Sequence, residues 1–185
     1  SSELIDQEKR PHRLLDYNNL NGYISRHKIC YKSLVKKIQR FSDLKVLVIG
    51  DLIIDEYVFC DPIGMSQEDP TIVVRVNNES KYVGGAGIVA AHAASLGADV
   101  QYIGIVGEDS NANFARSKLD EFGVNASLIR DVTRPTITKK RFRAFDKTLL
   151  RGNTVRDHDI DGEILTKTTK KIFDSLPNCD AVLFS

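Results

Sequence analysis

Cysteine is scarce and scattered. Cys30, Cys60 and Cys179 are the three in the chain and form no CxxC pair, which argues against a zinc ribbon or a disulfide framework. Charge of one sign is lacking too: 26 Lys and Arg against 25 Asp and Glu leave a net charge of +1. That balance gives no strong pull toward nucleic acid or a membrane surface, so neither is expected as a partner. No apolar run reaches membrane-spanning length, and the opening SSELIDQEKRPHR lacks the character of a signal peptide. A reducing cytoplasm is the expected setting. Repeats and low-complexity tracts are absent, as is the phosphate-loop pattern GxxxxGK[ST]. In IGIVGED the glycines Gly104 and Gly107 follow a strand instead of opening a helix after it, so they make no dinucleotide fingerprint. His92 has no second His or Cys at ligand spacing to support it, and no metal site is expected.

A chain of 185 residues that is 42% hydrophobic can bury one substantial core and carry an appendage. Residues 1–43 differ from the rest, being polar and net basic, with RPHR, YNN and NG breakers. From Tyr31 to Phe41, Leu34, Val35 and Ile38 recur at helical spacing, with Lys32, Lys36 and Lys37 outside that stripe. The expectation is a linker and then an amphipathic helix leading into a domain over 44–185.

From Lys45 strands and helices alternate. VLVIG reads as a strand buried on both faces. A helix runs from Gly85 to the Gly97 stop, followed by the strand VQYIGIVG. Next come a helix over Asn111–Phe122, the strand ASLIR, a helix over Asp161–Ser175 and the strand AVLFS. This order predicts an α/β fold with a doubly wound, mostly parallel sheet, whose ligands bind beyond the carboxyl ends of the strands. Asp51, Gly84-Gly85 and Gly107-Glu108-Asp109 should gather at that edge. Two stretches break the rhythm, Thr71–Val76 and Thr136–Arg151. They read as strands of a small β lid, near 56–76 and 136–151. Under a period of two, Lys139, Arg141, Arg143 and Phe145 share one face of the second stretch.

The densest signal lies at 45–99. A buried strand ends in Gly50-Asp51, Asp55 follows four residues on, and Gly84-Gly85 opens an Ala-rich helix. Carboxylates at a strand end accept hydrogen bonds from hydroxyls, and a diglycine lets backbone approach closely. The combination suits a polyhydroxylated ligand. His92, inside the Ala-rich helix, is expected to be packed in the core.

The segments GDLIID, YVGGAG and PTITKKR together resemble the ribokinase-like (phosphofructokinase-B) sugar kinases. Within them they are most similar to the heptose 7-phosphate kinase domain of lipopolysaccharide-precursor synthesis. The resemblance covers roughly Leu44 to Ser185. It implies that Asp51 and Asp55 bind sugar hydroxyls, that Gly84 and Gly85 lie against the substrate, and that Lys139 and Arg141 grip its phosphate. It also implies ATP and Mg²⁺ as cofactors of the parent enzyme and a homodimer formed through the lid. Arg151 resembles a further family arginine, with Asn153 where an acid commonly follows. Ile88 stands where the heptose kinases place a substrate-binding Asn, and Gln67 replaces a proline in the turn Ser66–Pro70.

Members of that family carry their catalytic base in a downstream Gly-Ala-Gly-Asp motif, which this sequence does not contain. No catalytic residue is therefore assigned, and these residues alone are expected to be inactive. The alternatives are a non-catalytic sugar-phosphate-binding or dimerisation module, a different acceptor such as fructose 6-phosphate or a nucleoside, and a piece of a nucleotidyltransferase–kinase fusion. The opening SSELI favours the last, because it looks like the tail of cytidylyltransferase domains.

Overall fold

The computed structural model describes residues 17–156 and 158–185, so the opening SSELI and the RPHR breaker lie outside the described residues. The chain divides into two compact units, Ser1–Arg40 and Phe41–Ser185. The first holds helices α1 (Tyr17–Arg26) and α2 (Tyr31–Gln39). The α1 helix corrects the expectation of a linker there. Leu20, Tyr23 and Ile24 recur at i, i+3 and i+4, and this periodicity prevails over the Asn and Gly residues that argued against a helix. Gly22 sits inside α1 with open space about it, at a cost of about 1 kcal/mol relative to alanine. No helix among the described residues is long and apolar enough to cross a membrane.

In the second unit, strands β1 (Lys45–Ile49), β4 (Asp99–Val106), β5 (Asn125–Arg130) and β8 (Ala181–Phe184) form a parallel sheet in the order β5-β4-β1-β8. Here the expected α/β fold with a parallel sheet is observed. One face of the sheet carries Val46, Val48, Val100, Tyr102 and Val106, buried against Ala86 and Ala90 of helix α3 (Ala86–Ser95) and Ala112, Ala115 and Leu119 of helix α4 (Ser110–Glu121). The small residues of α3 allow close approach, and a Cβ at Gly87 would collide with the side chains of Val83 and Leu52. Leu47 and Ile103, fully buried, alternate to the other face, where helix α5 (Gly162–Ser175) contacts β4 and β5. His92 is exposed, contrary to expectation. The buried face of α3 is Ala86, Gly87, Ala90 and Ala91, and His92 falls on the opposite side of the helix.

A second sheet holds β2 (Leu52–Met65), β3 (Ile72–Gly85), β6 (Ile137–Ala144) and β7 (Lys147–Thr154) in the order β3-β2-β6-β7. The central pair, β2 and β6, is parallel, and each carries an antiparallel partner outside it. β2 starts straight after Asp51, and β3 runs on to Gly85. Both strands are therefore longer than the departing stretches read from sequence. β2 alternates cleanly: Leu52, Ile54, Glu56, Val58 and Cys60 are buried, whereas Ile53, Asp55, Tyr57 and Phe59 face outward. Irregularities at Phe59/Cys60 and Pro62/Gly64 mark where the β2–β3 ribbon leaves the body. Leu52 is fully buried where the two sheets diverge. Leu52→Ala is expected to cost about 3 kcal/mol in unfolding free energy by urea denaturation, from lost transfer energy plus the cavity left behind.

Candidate functional site

The site is built where β1 ends and β2 begins. Gly50 and Asp51 follow the last residue of β1, and the Asp51 carbonyl accepts the Ala86 N–H at 2.9 Å, which ties the strand end to the start of α3. Gly85 makes that junction with φ 56° and ψ −142°, a conformation available only to glycine. A Cβ on Gly85 would overlap the Asp51 carbonyl, and one on Gly84 would overlap the Asp55 carboxylate. Gly85 is thus required by the close passage of β3 across the Asp51 backbone, whereas at Gly84 the atom in the way is the movable end of the Asp55 side chain. Tyr102 completes the support. Its hydroxyl donates to the Gly50 carbonyl at 3.0 Å, and burial, then the nearby charge of Asp51, push its phenol well above the usual range.

On the outward face of the second sheet, Asp55 pairs in register with Lys139, and Tyr57 with Arg141. Arg141 donates from Nη1 to Asp55 Oδ1, an ion pair whose hydrogen bond, with the carboxylate's charge, holds the guanidinium above its ordinary pKa. The same guanidinium lies 5.3 Å from the centroid of the Tyr57 ring, and Tyr82 meets Tyr57 edge-on at 5.8 Å. Beside them Lys139, Lys140, Arg141, Arg151 and Asn153 line a shallow cleft of about 230 Å³. Its lining carries four cations and no acid. Asn153 pairs in register with Lys139, and Arg151 with Arg141.

The inward face is a different environment. Glu56 Oε1 receives Lys81 at 2.8 Å and Oε2 receives Lys140 at 3.1 Å. Burial opposes ionisation of Glu56, but the two lysines outweigh it and hold the carboxyl below the usual range. Asp109 follows the end of β4 and caps α4, accepting the Ala112 N–H at 2.9 Å. It also accepts the Thr136 N–H and hydroxyl, both at 2.8 Å, just before β6. Burial works against its charge as well, and these hydrogen bonds prevail, so its pKa is lowered. Asp131 is buried after β5. The Thr133 hydroxyl, at 2.6 Å, is the main cause of its lowered pKa, against burial and with help from Arg134.

The structure thus brings Asp55, Gly84, Arg141 and Lys139 together on one outward face, with Asp51 and Gly85 at its root. Gly107, Glu108 and Asp109 lie at the carboxyl end of the neighbouring strand, where Asp109 serves α4 and Thr136. Glu68 stays in an exposed turn whose N–H is bound by Ser66 Oγ at 3.1 Å. Sequence reasoning passed over Tyr57, Tyr82, Tyr102 and Asn111. Tyr57 could have been found, since it lies two residues from Asp55 on the same strand face. Among the described residues no group of three or more His, Cys, Asp or Glu could hold a metal ion.

A parallel α/β body with a second sheet beside the carboxyl end of β1, edged with acids, glycines and cations, describes the sugar-kinase class of α/β domain. Residues 43–154 match the pfkB family carbohydrate kinases. A bifunctional protein HldE from Bradyrhizobium diazoefficiens is 34% identical over 150 residues, covering 80% of this chain and 30% of that protein. One from a Marinomonas species is 36% identical, covering 78% of this chain and 30% of that protein. Among solved structures, a carbohydrate kinase from Agrobacterium tumefaciens matches with a TM-score of 0.59 at 15% identity, covering 76% of this chain and 45% of the other. Ribokinase from Giardia lamblia matches with a TM-score of 0.54 at 14% identity, covering 76% and 41%. The chain belongs to the pfkB carbohydrate kinase family. It spans about 30% of the length of the curated relatives it matches.

Asp109 has a lowered pKa in the folded chain, so its contribution to stability is complete above the unfolded value and is lost as pH falls through the folded one. Asp109→Asn keeps a capping oxygen but replaces the other acceptor by an NH₂, leaving either the Thr136 N–H or the Ala112 N–H without its partner, and is expected to lower the unfolding free energy by about 1–2 kcal/mol near neutral pH. The difference from wild type should shrink below about pH 4, as the wild-type carboxyl protonates. Urea denaturation between acidic and neutral pH reads both effects.

Proposed function

We propose that this chain forms the sugar-binding part of an ATP-dependent kinase that phosphorylates a hydroxyl of a phosphorylated sugar, such as heptose 7-phosphate. One observation carries the reading: a carboxylate held over a glycine lies beside a cleft lined by cations. Asp55 is oriented by Arg141, its Oδ2 turned toward Gly84, where a side chain would block approach. In this reading Asp51 and Asp55 accept hydrogen bonds from sugar hydroxyls, while Gly84 and Gly85 let the ring approach the backbone. Arg141 serves first as the partner that fixes Asp55. The sugar phosphate then falls chiefly to Lys139 and Arg151, with Arg141 at the border between the two groups. The second sheet acts as a lid over the sugar and excludes water when it closes.

Phosphoryl transfer further requires a base for the acceptor hydroxyl, donors for the transferred group, and ATP with Mg²⁺, which neutralises developing charge. The described residues include no cluster of carboxylates, histidines or cysteines fit to hold the metal. In this proposal those parts belong to the rest of the kinase, and the 185-residue chain binds sugar phosphate without turning over ATP. The setting is a reducing cytoplasm, in keeping with three free cysteines.

A dimer through the second sheet is the other half of the proposal. Met65, Ile72 and Val76 are exposed on one face toward the tip of the β2–β3 ribbon, a patch that a second copy would cover. Ile72→Glu is expected to shift the chain toward monomer in sedimentation velocity; an unchanged distribution removes the patch from the interface.

Calorimetric titration tests the ligand. Lys139→Ala should weaken heptose 7-phosphate by roughly tenfold or more, the worth of a charge-assisted hydrogen bond, and leave unphosphorylated heptose unaffected. Equal losses for both sugars would overturn the assignment of the cleft to phosphate.

A further inference from the structure

The inward face of the second sheet holds a polar junction that sugar binding does not use, and Asn111 is its hub. Asn111 lies in the first turn of α4, next to the Asp109 cap. Its Oδ1 accepts Lys81 Nζ of β3 at 2.9 Å. Its Nδ2 donates to Thr138 Oγ1 of β6 at 2.9 Å and to Glu56 Oε1 of β2 at 3.4 Å. One amide thus reaches three strands of the sheet and uses its acceptor and both donor hydrogens. The flipped amide would set its oxygen against the Glu56 carboxylate and its NH₂ against the Lys81 ammonium, so the orientation follows from charge. Thr138 in turn donates to the Thr136 carbonyl at 3.0 Å, and Thr136 is bound by Asp109. The start of α4, with its Asp109 cap, therefore holds β6 at Thr138 and the residue just before it at Thr136, and β2 and β3 at one point each.

We infer that Asn111 is a positioning residue that latches the second sheet to the start of α4 and so sets the placement of Asp55, Lys139 and Arg141 on the opposite face. The inference rests on the proposed reading of that face as the sugar site. The physical link is the pleat. Glu56 adjoins Asp55 on β2, and Thr138 and Lys140 flank Lys139 on β6, so holding the inward side chains fixes where the outward ones project. Asn111 is absent from the lining of the cationic cleft, and its influence passes through two strands. The charged groups facing it are Glu56, Lys81, Lys140 and Asp109, and a polar cavity of about 390 Å³ includes Asn111, Glu56, Asp109, Thr138 and Lys140 in its lining. Water can enter there, so truncating the amide loosens the junction without opening the apolar core.

Hydrogen exchange of the ligand-free chain and titration with heptose 7-phosphate test this together. In Asn111→Ala, and separately in Thr138→Val, amides of β2 and β6 should exchange roughly fivefold to tenfold faster, the worth of one hydrogen bond, with β1 and β4 unchanged. The dissociation constant should rise by a similar factor, and the double variant should be no worse than Asn111→Ala alone, because the bond that Thr138→Val removes is already lost there. Faster exchange spread equally over β1 and β4 would mean general destabilisation and overturn the latch, as would unchanged exchange in β2 and β6. Loosened strands with unaltered sugar-phosphate affinity would overturn the positioning role. A wild-type chain that binds no sugar phosphate would instead overturn the proposed function, while exchange still decides whether the latch exists.

Discussion

The parallel pairing of β2 with β6 is the interaction on which the rest of the second unit depends. These strands are remote in sequence, and each emerges from the main sheet, β2 from β1 through Gly50-Asp51 and β6 from β5 through Asp131–Thr136. Their register sets Asp55 against Lys139 and Tyr57 against Arg141 on one face, and Glu56 against Lys140 on the other. A slip by one residue would exchange the faces and bury the candidate sugar-binding charges. The register is correspondingly well held. Asp109 binds Thr136 immediately before β6, the Asp55–Arg141 ion pair crosses the strands outside, and the Glu56–Lys140 pair crosses them inside.

The main sheet was legible because its strands and helices are local patterns. The apolar runs at Lys45–Ile49 and Asp99–Val106 and the glycine stops at Gly97 and Gly123 each decide their own element. Asp51 and Asp55 at a strand end and the adjacent Gly84 and Gly85 at a helix start are each local patterns, whereas the approach of Gly84 to the Asp55 carboxylate is a contact between β2 and β3. What could not be read was cross-strand. Nothing in the chain order says that Arg141 spends a donor on Asp55, because that contact joins residues 86 apart in sequence. The same holds for Asn111, an ordinary first-turn residue until β2, β3 and β6 are folded around it. The helix Tyr17–Arg26 is hard to read for another reason: Asn18, Asn19, Asn21 and Gly22 argue against a helix, and the apolar stripe that opposes them is only Leu20, Tyr23 and Ile24.

The two faces of the second sheet solve different electrostatic problems. Inside, Glu56 is nearly buried and is neutralised by two lysines and an amide, so the charge is compensated within the protein. Outside, Lys139 and Arg151 line the cleft beside a single ion pair, so part of the positive charge is left for whatever binds. A sheet with one satisfied face and one unsatisfied face can remain folded without ligand and still gain from an anion. The aromatic pair Tyr57 and Tyr82 stiffens the outward face without adding charge.

The hairpin between β6 and β7 turns through Phe145 and Asp146, both with positive φ, at 47° and 62°. Tight hairpin turns of this hand favour Asn and Gly, and a bulky side chain there is strained. Phe145 is also 83% exposed, so the tip offers an aromatic residue on strained backbone to any chymotrypsin-like protease. A cut at that point would detach β7 covalently from β6 while leaving the body intact. Arg151 and Asn153 would then be held beside Lys139 by strand hydrogen bonds and by the chain that runs on from β7 toward α5, which makes the hairpin tip the place where one nick would loosen half of the cationic cleft.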